Sequence, residues 1–194
     1  MRPVFTIILG LFLSIMGGIL LVHDAEYIFT GNTVNLNEIF ENNQELPRDS
    51  YVDYTCYCSL GNYAETQQYL NGLIPLPFKS QEYALLTENE IIISAEISKK
   101  EKIQEMEQLT DAFFSDDENT SLVPVELVGC LQTVSPDMHN FLIEYFEGTE
   151  IAEDVITYYV IDTTKTRASQ CGLCLGAILL GIFVVFMGIQ RKRR

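Results

Sequence analysis

Two long apolar runs, one near each end of the chain, predict membrane-spanning helices. Residues 4–22 and residues 172–189 contain no Asp, Glu, Lys or Arg. At about 1.5 Å per residue the first run is about 28 Å long as a helix, close to the ~30 Å hydrocarbon core of a bilayer. A pair of buried core helices is the alternative, but such helices normally carry a polar stripe, which these runs lack. We therefore predict two transmembrane helices.

Both runs also have to be weighed against processing signals. The first is preceded by a single basic residue, Arg2, and is followed by no small-residue cleavage site before His23. It is also longer than the ~7–15-residue apolar core of a signal peptide. The second is followed by four basic residues, 191–194, which are typical of a stop-transfer sequence rather than of a lipid-anchor signal. We therefore predict that both spans are permanent.

Small residues at four-residue spacing on both runs predict a close helix–helix contact. They are Gly10, Ser14 and Gly18 in the first run and Gly172, Gly176 and Gly181 in the second. Such faces let helix backbones approach closely in lipid, where packing replaces the hydrophobic effect. We expect either a hairpin within the chain or a contact with another membrane protein. The alternative is that glycine is simply frequent in membrane helices.

The basic residues predict how the chain crosses the membrane. The cluster at residues 191–194 holds the C-terminus in the cytoplasm, and two spans then place the N-terminus there as well. We expect three regions: a tail with the first transmembrane helix (1–22), an extracytoplasmic domain (23–170), and the second transmembrane helix with a basic tail (171–194). The expected location is the bacterial cell membrane, with both termini cytoplasmic.

Between the spans, strand-like and helix-like patterns follow one another. Candidate strands, rich in β-branched and aromatic residues, are residues 51–58, 69–78, 83–86, 91–97, 122–134 and 155–161. One helix is predicted after a capping box at Ser98, another begins at Ser135 with Pro136 at its first position, and Asn35 precedes a short apolar face. Three candidate strands precede the first substantial helix. We therefore predict an α+β domain, with a mostly antiparallel sheet of about five or six strands and two main helices, flanked by two transmembrane helices.

Acidic charge is concentrated between the spans. All 27 acidic residues lie there with only seven basic ones, so segment 23–170 has a net charge of −20. This charge argues against a nucleic-acid partner and against docking onto anionic lipid head groups. It favours a solvated surface and partners that are neutral or cationic.

The five cysteines allow a disulfide but do not fix one. Cys56 and Cys58 lie two apart on one face of a predicted strand and are badly placed to bond each other. Either could pair with Cys130 in an oxidising compartment, and buried thiols are the alternative. Cys171 and Cys174 have C-x-x-C spacing, but the βαβ pattern of a redox motif is missing. We expect them to be small residues at a helix contact, with lipidation or a redox role as the alternatives.

No pattern in the sequence predicts catalysis, a cofactor or a metal site. The only histidines are His23, beside Asp24, and His139, which lies off a predicted apolar helix face and is expected to face solvent. That face comprises Met138, Phe141, Leu142, Tyr145 and Phe146. No nucleophile–base motif such as G-x-S-x-G or H-E-x-x-H is present. The acidic loop at residues 116–119 lacks the spacing and glycine of a calcium loop, and Asn119 begins a glycosylation pattern.

Four stretches of the outer segment carry a family resemblance: L-I-P-L-P at residues 73–77, I-I-I-S-A-E-I at 91–97, P-V-E-L-V-G-C at 124–130 and Y-Y-V-I-D at 158–162. Together they resemble an uncharacterised family, a domain of unknown function found in short bacterial two-span membrane proteins with one extracytoplasmic domain. The resemblance covers most of the chain. It implies that topology, but it brings no activity and no functional residues.

These features favour a membrane-anchored extracytoplasmic binding or accessory module of unknown ligand, and not an enzyme. The expected partners are membrane lipid and a membrane or extracytoplasmic protein, with no nucleic acid. The short tails are expected to leave no room for a signalling domain, and uncharged spans lack the polar residues of transport sites. The alternatives are a surface-acting enzyme of the cell envelope and a purely structural membrane protein.

Overall fold

The computed structural model describes residues 3–70, 74–115 and 121–193 and divides the chain into two compact units. The helical unit consists of residues 1–32 and 165–194, and the sheet unit consists of residues 33–164. Segment 23–170, the predicted outer domain, therefore contains the whole sheet unit and two short stretches of the helical unit.

Six α-helices and seven strands follow one another along the described residues. The helices are α1 (Pro3–His23), α2 (Ala25–Thr30), α3 (Leu36–Glu41), α4 (Lys100–Phe113), α5 (Pro136–Tyr145) and α6 (Arg167–Arg193). The strands are β1 (Val34–Asn35), β2 (Ser50–Cys56), β3 (Ser59–Leu70), β4 (Ile74–Leu86), β5 (Ile92–Ile97), β6 (Val125–Thr133) and β7 (Ile156–Asp162). A 3₁₀ turn, Glu153–Val155, precedes β7.

In the helical unit, α1 and α6 are long and apolar enough to cross a membrane. The 18-residue apolar windows within Val4–His23 and Arg167–Lys192 both have a mean hydropathy of 2.6, and only 11% and 17% of them are buried. Large apolar side chains such as Phe12 and Phe183 are more than half exposed. A continuous apolar surface of this kind needs an apolar environment. Both helices could therefore span a membrane.

The short helix α2 is closed by an arginine from the other end of the chain. Gly31 follows α2 in the left-handed conformation, with φ 74°, and its N–H bonds to Tyr27 O. At the start of α6, the Arg167 guanidinium donates from Nε to Ile28 O (2.5 Å) and from Nη2 to Phe29 O (2.7 Å). These bonds satisfy carbonyl groups that the helix end leaves open, and they tie α2 to α6.

The seven strands of the sheet unit form one mixed sheet in the order β1-β2-β6-β7-β5-β4-β3. β1 pairs with β2 in parallel, as β5 does with β7, and the other neighbouring pairs are antiparallel. The domain is α+β, but the prediction of a mostly antiparallel sheet of five or six strands with two main helices is wrong. The sheet is mixed, it has seven strands, and the chain has six helices among its described residues.

These errors have identifiable causes in the sequence. β1 has only two residues, and β3 contains Gly61 and several polar positions, so hydrophobic alternation marks neither strand. The candidate strand at residues 69–78 joins the end of β3 to the start of β4 and includes residues 71–73, which lie outside the described ranges. β7 enters the sheet between β5 and β6 after α5. This crossover produces the parallel pairing, and no local pattern predicts it.

The sheet has two buried faces. Leu85 and Ile93 pack with Met106 of α4 on one face, in the larger core cluster, which also includes α3. Ala84 packs with Leu142 of α5 in a second cluster. Because consecutive residues of a strand point to opposite sides, Ala84 and Leu85 lie on different faces. Helix α5 therefore covers the face opposite to α3 and α4.

A side chain completes the edge of the sheet beside β2. Strand β1 pairs only with Val52 and Asp53. Two residues farther along β2, Asn37 Oδ1 accepts a hydrogen bond from Thr55 N (2.8 Å), and Asn37 Nδ2 donates one to Thr55 O (3.0 Å). The side-chain amide therefore makes the two bonds that the peptide groups of a neighbouring strand would make.

Helix α5 buries only part of the predicted apolar face. Leu142 and Phe146, at the end of the helix, are buried as predicted, but His139 is buried as well, whereas Phe141 is 51% and Tyr145 is 41% exposed. The expectation that His139 faces solvent is wrong. Its side chain is 4% exposed and stacks on the ring of Tyr158, with ring centroids 3.6 Å apart. The predicted face was assigned from large apolar residues, and the aromatic ring of Tyr158 accommodates an imidazole instead.

Candidate functional site

An open cavity lies in the sheet unit between the end of α3, the β4–β5 turn and β7. Its volume is about 430 Å³, within the ~300–1,000 Å³ that is typical of small-ligand sites. Its apolar lining residues are Ile39, Phe40, Leu46 and Ile91. Its polar lining residues are Asn43, Gln44, Glu45, Asn89 and Tyr159. We call it the amide cavity, because three of the polar residues carry side-chain amides.

One wall of the amide cavity is positioned by the end of α3. Asn35 begins this helix by accepting a hydrogen bond from Glu38 N (3.3 Å). At the other end the chain reverses, and Gln44 N donates to Ile39 O (2.9 Å). Since Ile39 is buried in the core, this bond holds the following polar residues at a fixed place beside the sheet.

The opposite wall is the β4–β5 turn, and Asn89 joins it to the first. Asn89 Nδ2 donates to Phe40 O and also to Asn43 Oδ1 (3.0 Å). The turn is itself closed by Thr87, whose N and Oγ1 both donate to Ile91 O (3.0 Å each). Among the described residues, Asn89 Oδ1 and Asn43 Nδ2 make no further hydrogen bond. The two walls are therefore fixed relative to each other, and each keeps an unused polar atom.

Unusual backbone conformations are concentrated in the segments around the amide cavity. Asn43 (φ 48°), Asp49 (φ 52°) and Glu90 (φ 61°) are the non-glycine residues with positive φ in the described part of the chain. Asn and Asp tolerate this region, but Glu rarely adopts it. Such conformations cost free energy, persist only where surrounding contacts hold them, and tend to cluster at functional sites. Their grouping here points to the amide cavity rather than to another surface.

The third wall is the ring of Tyr159 on β7. Arg48 Nε donates to the Tyr159 hydroxyl oxygen (3.2 Å). This bond, and to a smaller extent the nearby carboxylates of Glu45 and Asp49, raises the pKa of the Arg48 guanidinium above its ordinary value. The described lining includes no Ser, Cys, His or Lys. The site can therefore donate and accept hydrogen bonds and offer an aromatic surface, but it lacks a nucleophile paired with a base.

None of the residues that line the amide cavity was predicted from the sequence to be a site residue. The polar run Asn-Asn-Gln-Glu at residues 42–45 and the Tyr-Tyr pair at residues 158–159 are the only local signals. A polar run after a short helix is usually a solvated turn. Only the long-range pairing of β5 with β7 brings these segments to one place.

A second groove, of about 290 Å³, lies between α4 and residues 121–125. Leu109, Ala112 and Val123 form part of its lining, with Glu105 and Gln108 at its side. It is smaller than the amide cavity and has fewer polar groups that converge. The acidic loop at residues 116–119 and the glycosylation pattern at Asn119 fall outside the described residues.

Three carboxylates lie side by side on the face of the sheet that α5 covers. Glu82 of β4 is opposite Glu96 of β5, and Glu96 is opposite Asp162 of β7. Glu82 is 5% exposed, and its Oε2 has no hydrogen-bond partner in the described structure. Burial, followed by the charges of Glu96 and Asp162, raises the pKa of Glu82 to about 8. The Glu82 carboxyl group is therefore protonated over much of the neutral pH range.

The two long helices pack antiparallel along a seam of small residues in the helical unit. A Cβ built at Gly10 would lie 2.6 Å from Gly181 O and 2.7 Å from Val185 N. A Cβ built at Gly181 would collide with Ser14 as well as with Gly10. Three of the predicted contact residues, Gly10, Ser14 and Gly181, therefore meet at one place on the seam.

The other three predicted contact residues lie off the seam. Nothing lies within 4 Å of a Cβ built at Gly18, Gly172 or Gly176. A Cβ at Gly17 would instead lie 3.0 Å from Cys174 O. From Gly10 to Gly17 the contact positions on α1 advance by seven residues, which is the heptad period of helix packing. Residues spaced four apart stay on this contact line for only one repeat and then turn away from it. This is why Gly17 occupies the position that the spacing assigned to Gly18.

All five cysteines are present as thiols. Cys56 is opposite Val125, whereas Cys130 is opposite Tyr51, five positions along the β2–β6 ladder. At ~3.3 Å per residue this is about 16 Å, and an odd spacing also places the two on opposite faces of the sheet. The structure does not bring Cys56 and Cys130 together.

The Cys56 thiol bonds instead to the backbone two residues later in the sequence. Its Sγ donates to Cys58 O (3.4 Å). Burial raises the pKa of Cys56 to about 12 and that of Cys58 to about 11. Thiols with such pKa values supply little thiolate, the form that reacts as a nucleophile.

The described residues offer no grouped metal ligands. Among them, no three His, Cys, Asp or Glu side chains are arranged so that they could hold a metal ion. His23, which is 68% exposed, bonds through Nδ1 to Asp24 Oδ1 (2.8 Å). His139 stacks on Tyr158. Neither histidine is among the residues that line the amide cavity.

Comparisons with known proteins place the chain in a family. The sequence profile of DUF8577, a domain of unknown function, matches residues 2–191. No curated protein and no solved structure matches the chain. Because the match extends over nearly the whole chain, including both apolar helices and the sheet unit, the protein belongs to the DUF8577 family.

Proposed function

We propose that the protein is a membrane-anchored binding module of the cell envelope. In this proposal α1 and α6 cross the membrane as a hairpin, and the sheet unit binds a small ligand in the amide cavity. The observation that carries the proposal is the convergence of three side-chain amides, a carboxylate and a tyrosine on one cavity that is also lined by apolar residues. This combination is typical of sites that bind small ligands.

The charge distribution supports a sheet unit on the outer side of a bacterial cell membrane. The basic residues 191–194 favour a cytoplasmic C-terminus, and two spans then give a cytoplasmic N-terminus. The sheet unit has 25 acidic and 5 basic residues, a net charge of −20. Such a surface stays solvated beside anionic lipid rather than binding to it. Its partners are then the lipid around the two spans and neutral or cationic molecules outside.

Impermeant maleimide labelling of intact cells tests the orientation. Ser115 is exposed in the sheet unit, so Ser115→Cys is expected to be labelled, whereas Gln190→Cys is expected to be labelled only after lysis. The parent chain, which has five cysteines of its own, gives the background. Labelling at position 190 and not at 115 in intact cells would contradict the orientation.

A ligand screen on the full chain tests the binding function. Any ligand of the amide cavity stabilises the folded protein, by about 2.7 kcal/mol at a hundred times its Kd. We therefore expect a small polar molecule to raise the unfolding temperature of the natural chain but not that of Leu46→Trp, in which the larger side chain fills the cavity. Val123→Trp, in the second groove, is the matched control and should respond like the natural chain. Equal responses from all three chains would exclude the amide cavity.

A further inference from the structure

We infer that the ligand of the amide cavity is a neutral polyhydroxylated molecule of the saccharide class. This inference rests on the binding function proposed above and deepens it. It follows from three properties of the site: the hydrogen-bonding groups that it presents, its apolar lining residues, and its charge.

The hydrogen-bonding groups suit hydroxyls. A hydroxyl group both donates and accepts, and a side-chain amide offers a carbonyl acceptor beside an NH₂ donor. Both N–H groups of Asn89 are used on Phe40 O and Asn43 Oδ1. Asn89 therefore has its acceptor available, and Asn43, in contact with it, has its donor available. A fixed acceptor next to a fixed donor matches two adjacent hydroxyl groups on a ring, and the Gln44 amide supplies a further pair.

The apolar part of the lining suits the C–H face of a sugar ring. Leu46, Ile91 and Tyr159 line the cavity, and all three are partly buried against the larger core cluster. The Tyr159 hydroxyl accepts a hydrogen bond from Arg48, so the ring is held in place. A tyrosine whose hydroxyl is satisfied and whose ring stays partly exposed can pack against the apolar side of such a ligand.

The charge disfavours ionic ligands. The Arg48 guanidinium at the edge of the cavity is engaged with Tyr159 and lies close to Glu45 and Asp49. An anion would therefore meet two carboxylates and the field of a unit with a net charge of −20. The same field would attract a cation, but the described lining offers it a single carboxylate, Glu45, which lies near the positive Arg48 guanidinium. A neutral ligand costs the least desolvation and meets no repulsion.

The test measures saccharide binding to the full chain, held in nanodiscs or in a detergent without a sugar head group. The probes are methyl glucoside, methyl galactoside, N-acetylglucosamine and their disaccharides, with glucuronate as the anionic comparison, and titration is followed by calorimetry. We expect saturable binding of at least one neutral probe, with weaker binding of glucuronate. Gln44→Ala and Asn89→Ala should each weaken the affinity about tenfold, the loss expected for one or two hydrogen bonds.

Two controls keep the outcomes distinct. Asn140→Ala removes an exposed amide on α5, away from the cavity, and should leave the affinity unchanged. Gln44→Ala removes no hydrogen bond that the described structure contains, so its effect cannot be attributed to unfolding of the turn, unlike that of Asn89→Ala. Unchanged saccharide affinity in both cavity variants would overturn the inference. If no saccharide binds while another class of molecule still stabilises the natural chain but not Leu46→Trp, the inference fails and the proposed function stands. If no molecule of any class does so, both fail.

Discussion

The helical unit and the sheet unit bury opposite kinds of residue. In the helical unit the contact between α1 and α6 is made by Gly10 and Gly181, and large side chains such as Phe12 are exposed. In the sheet unit Leu85 and Ile93 are fully buried, and most charged groups lie at the surface. The contact between α1 and α6 therefore depends on small side chains, which let the two helix backbones approach closely. The core of the sheet unit depends on side chains that are large enough to fill it.

The largest expected effect comes from shortening a side chain in the buried core of the sheet unit. Leu85→Ala should lower the free energy of unfolding of the sheet unit by about 3 kcal/mol, because it leaves a cavity in a fully buried cluster. Unfolding in urea can be followed by tyrosine fluorescence, since the chain has no Trp and nine of its ten Tyr lie in this unit. Val128→Ala on β6, where the natural side chain is 45% exposed, is the control. A similar loss in both variants would mean that the core cluster is not the stabilising element.

The opposite change should break the helical unit. Gly181→Leu adds volume where a Cβ would lie 2.6 Å from Gly10 O, and we expect a loss of about 2 kcal/mol from the helix contact. Gly176→Leu adds the same atoms where nothing lies within 4 Å, and it should change stability by less than about 0.5 kcal/mol. Resistance of the purified chain to unfolding in SDS measures both. If Gly176→Leu is the more disruptive variant, the packing described for α1 and α6 is incorrect.

The smallest expected effect is a pH dependence of the stability of the sheet unit. It sharpens the comparison because it comes from Glu82, a titratable side chain that is buried in that unit. The pKa of Glu82 is about 8 in the folded chain, above the ~4.3 of an unperturbed glutamate. The folded state therefore keeps a proton that the unfolded state has lost, so this group's stabilising contribution is complete at low pH and is lost as the pH rises through about 8. We expect the free energy of unfolding to fall by about 1.4 kcal/mol between about pH 7 and pH 9.

Glu82→Gln should remove this part of the pH dependence, because glutamine does not titrate. Glu126→Gln, on an exposed position of β6, is the matched control and should keep the slope of the natural chain. The measurement is the midpoint of urea unfolding at a series of pH values. An unchanged slope in Glu82→Gln would show that another group titrates in this range.

The sequence supports some of these elements and not others, for physical reasons. The apolar runs were readable because a span is a local property of about twenty residues. The caps at Asn35 and Ser135 were also readable, since each side chain bonds a backbone N–H three residues later. The capping box expected at Ser98 does not form, and the N-cap residue is Lys99, with no side-chain hydrogen bond. Residues adjacent to a cap compete for that position, and the sequence alone does not decide between them.

The amide cavity and the parallel strand pairs were not predictable from local patterns. Asn43 and Asn89 are 46 residues apart, and their contact depends on how β4 and β5 turn against the end of α3. Glu90 adopts a positive φ that its residue type disfavours, so its own propensity predicts the wrong conformation. In both cases tertiary contacts override local preference, as they do most often at functional sites.

Asn37 has a consequence for what happens when copies of this protein meet. Its amide occupies both backbone groups of Thr55, next to a strand of only two residues. Without this amide, the backbone groups of Thr55 would be unpaired at the sheet edge, and a strand of a neighbouring molecule could add to β2 there. Under the proposed membrane anchoring, copies diffuse in two dimensions, where such encounters are frequent. The Asn37 amide then hinders pairing between the sheets of neighbouring molecules at high surface density.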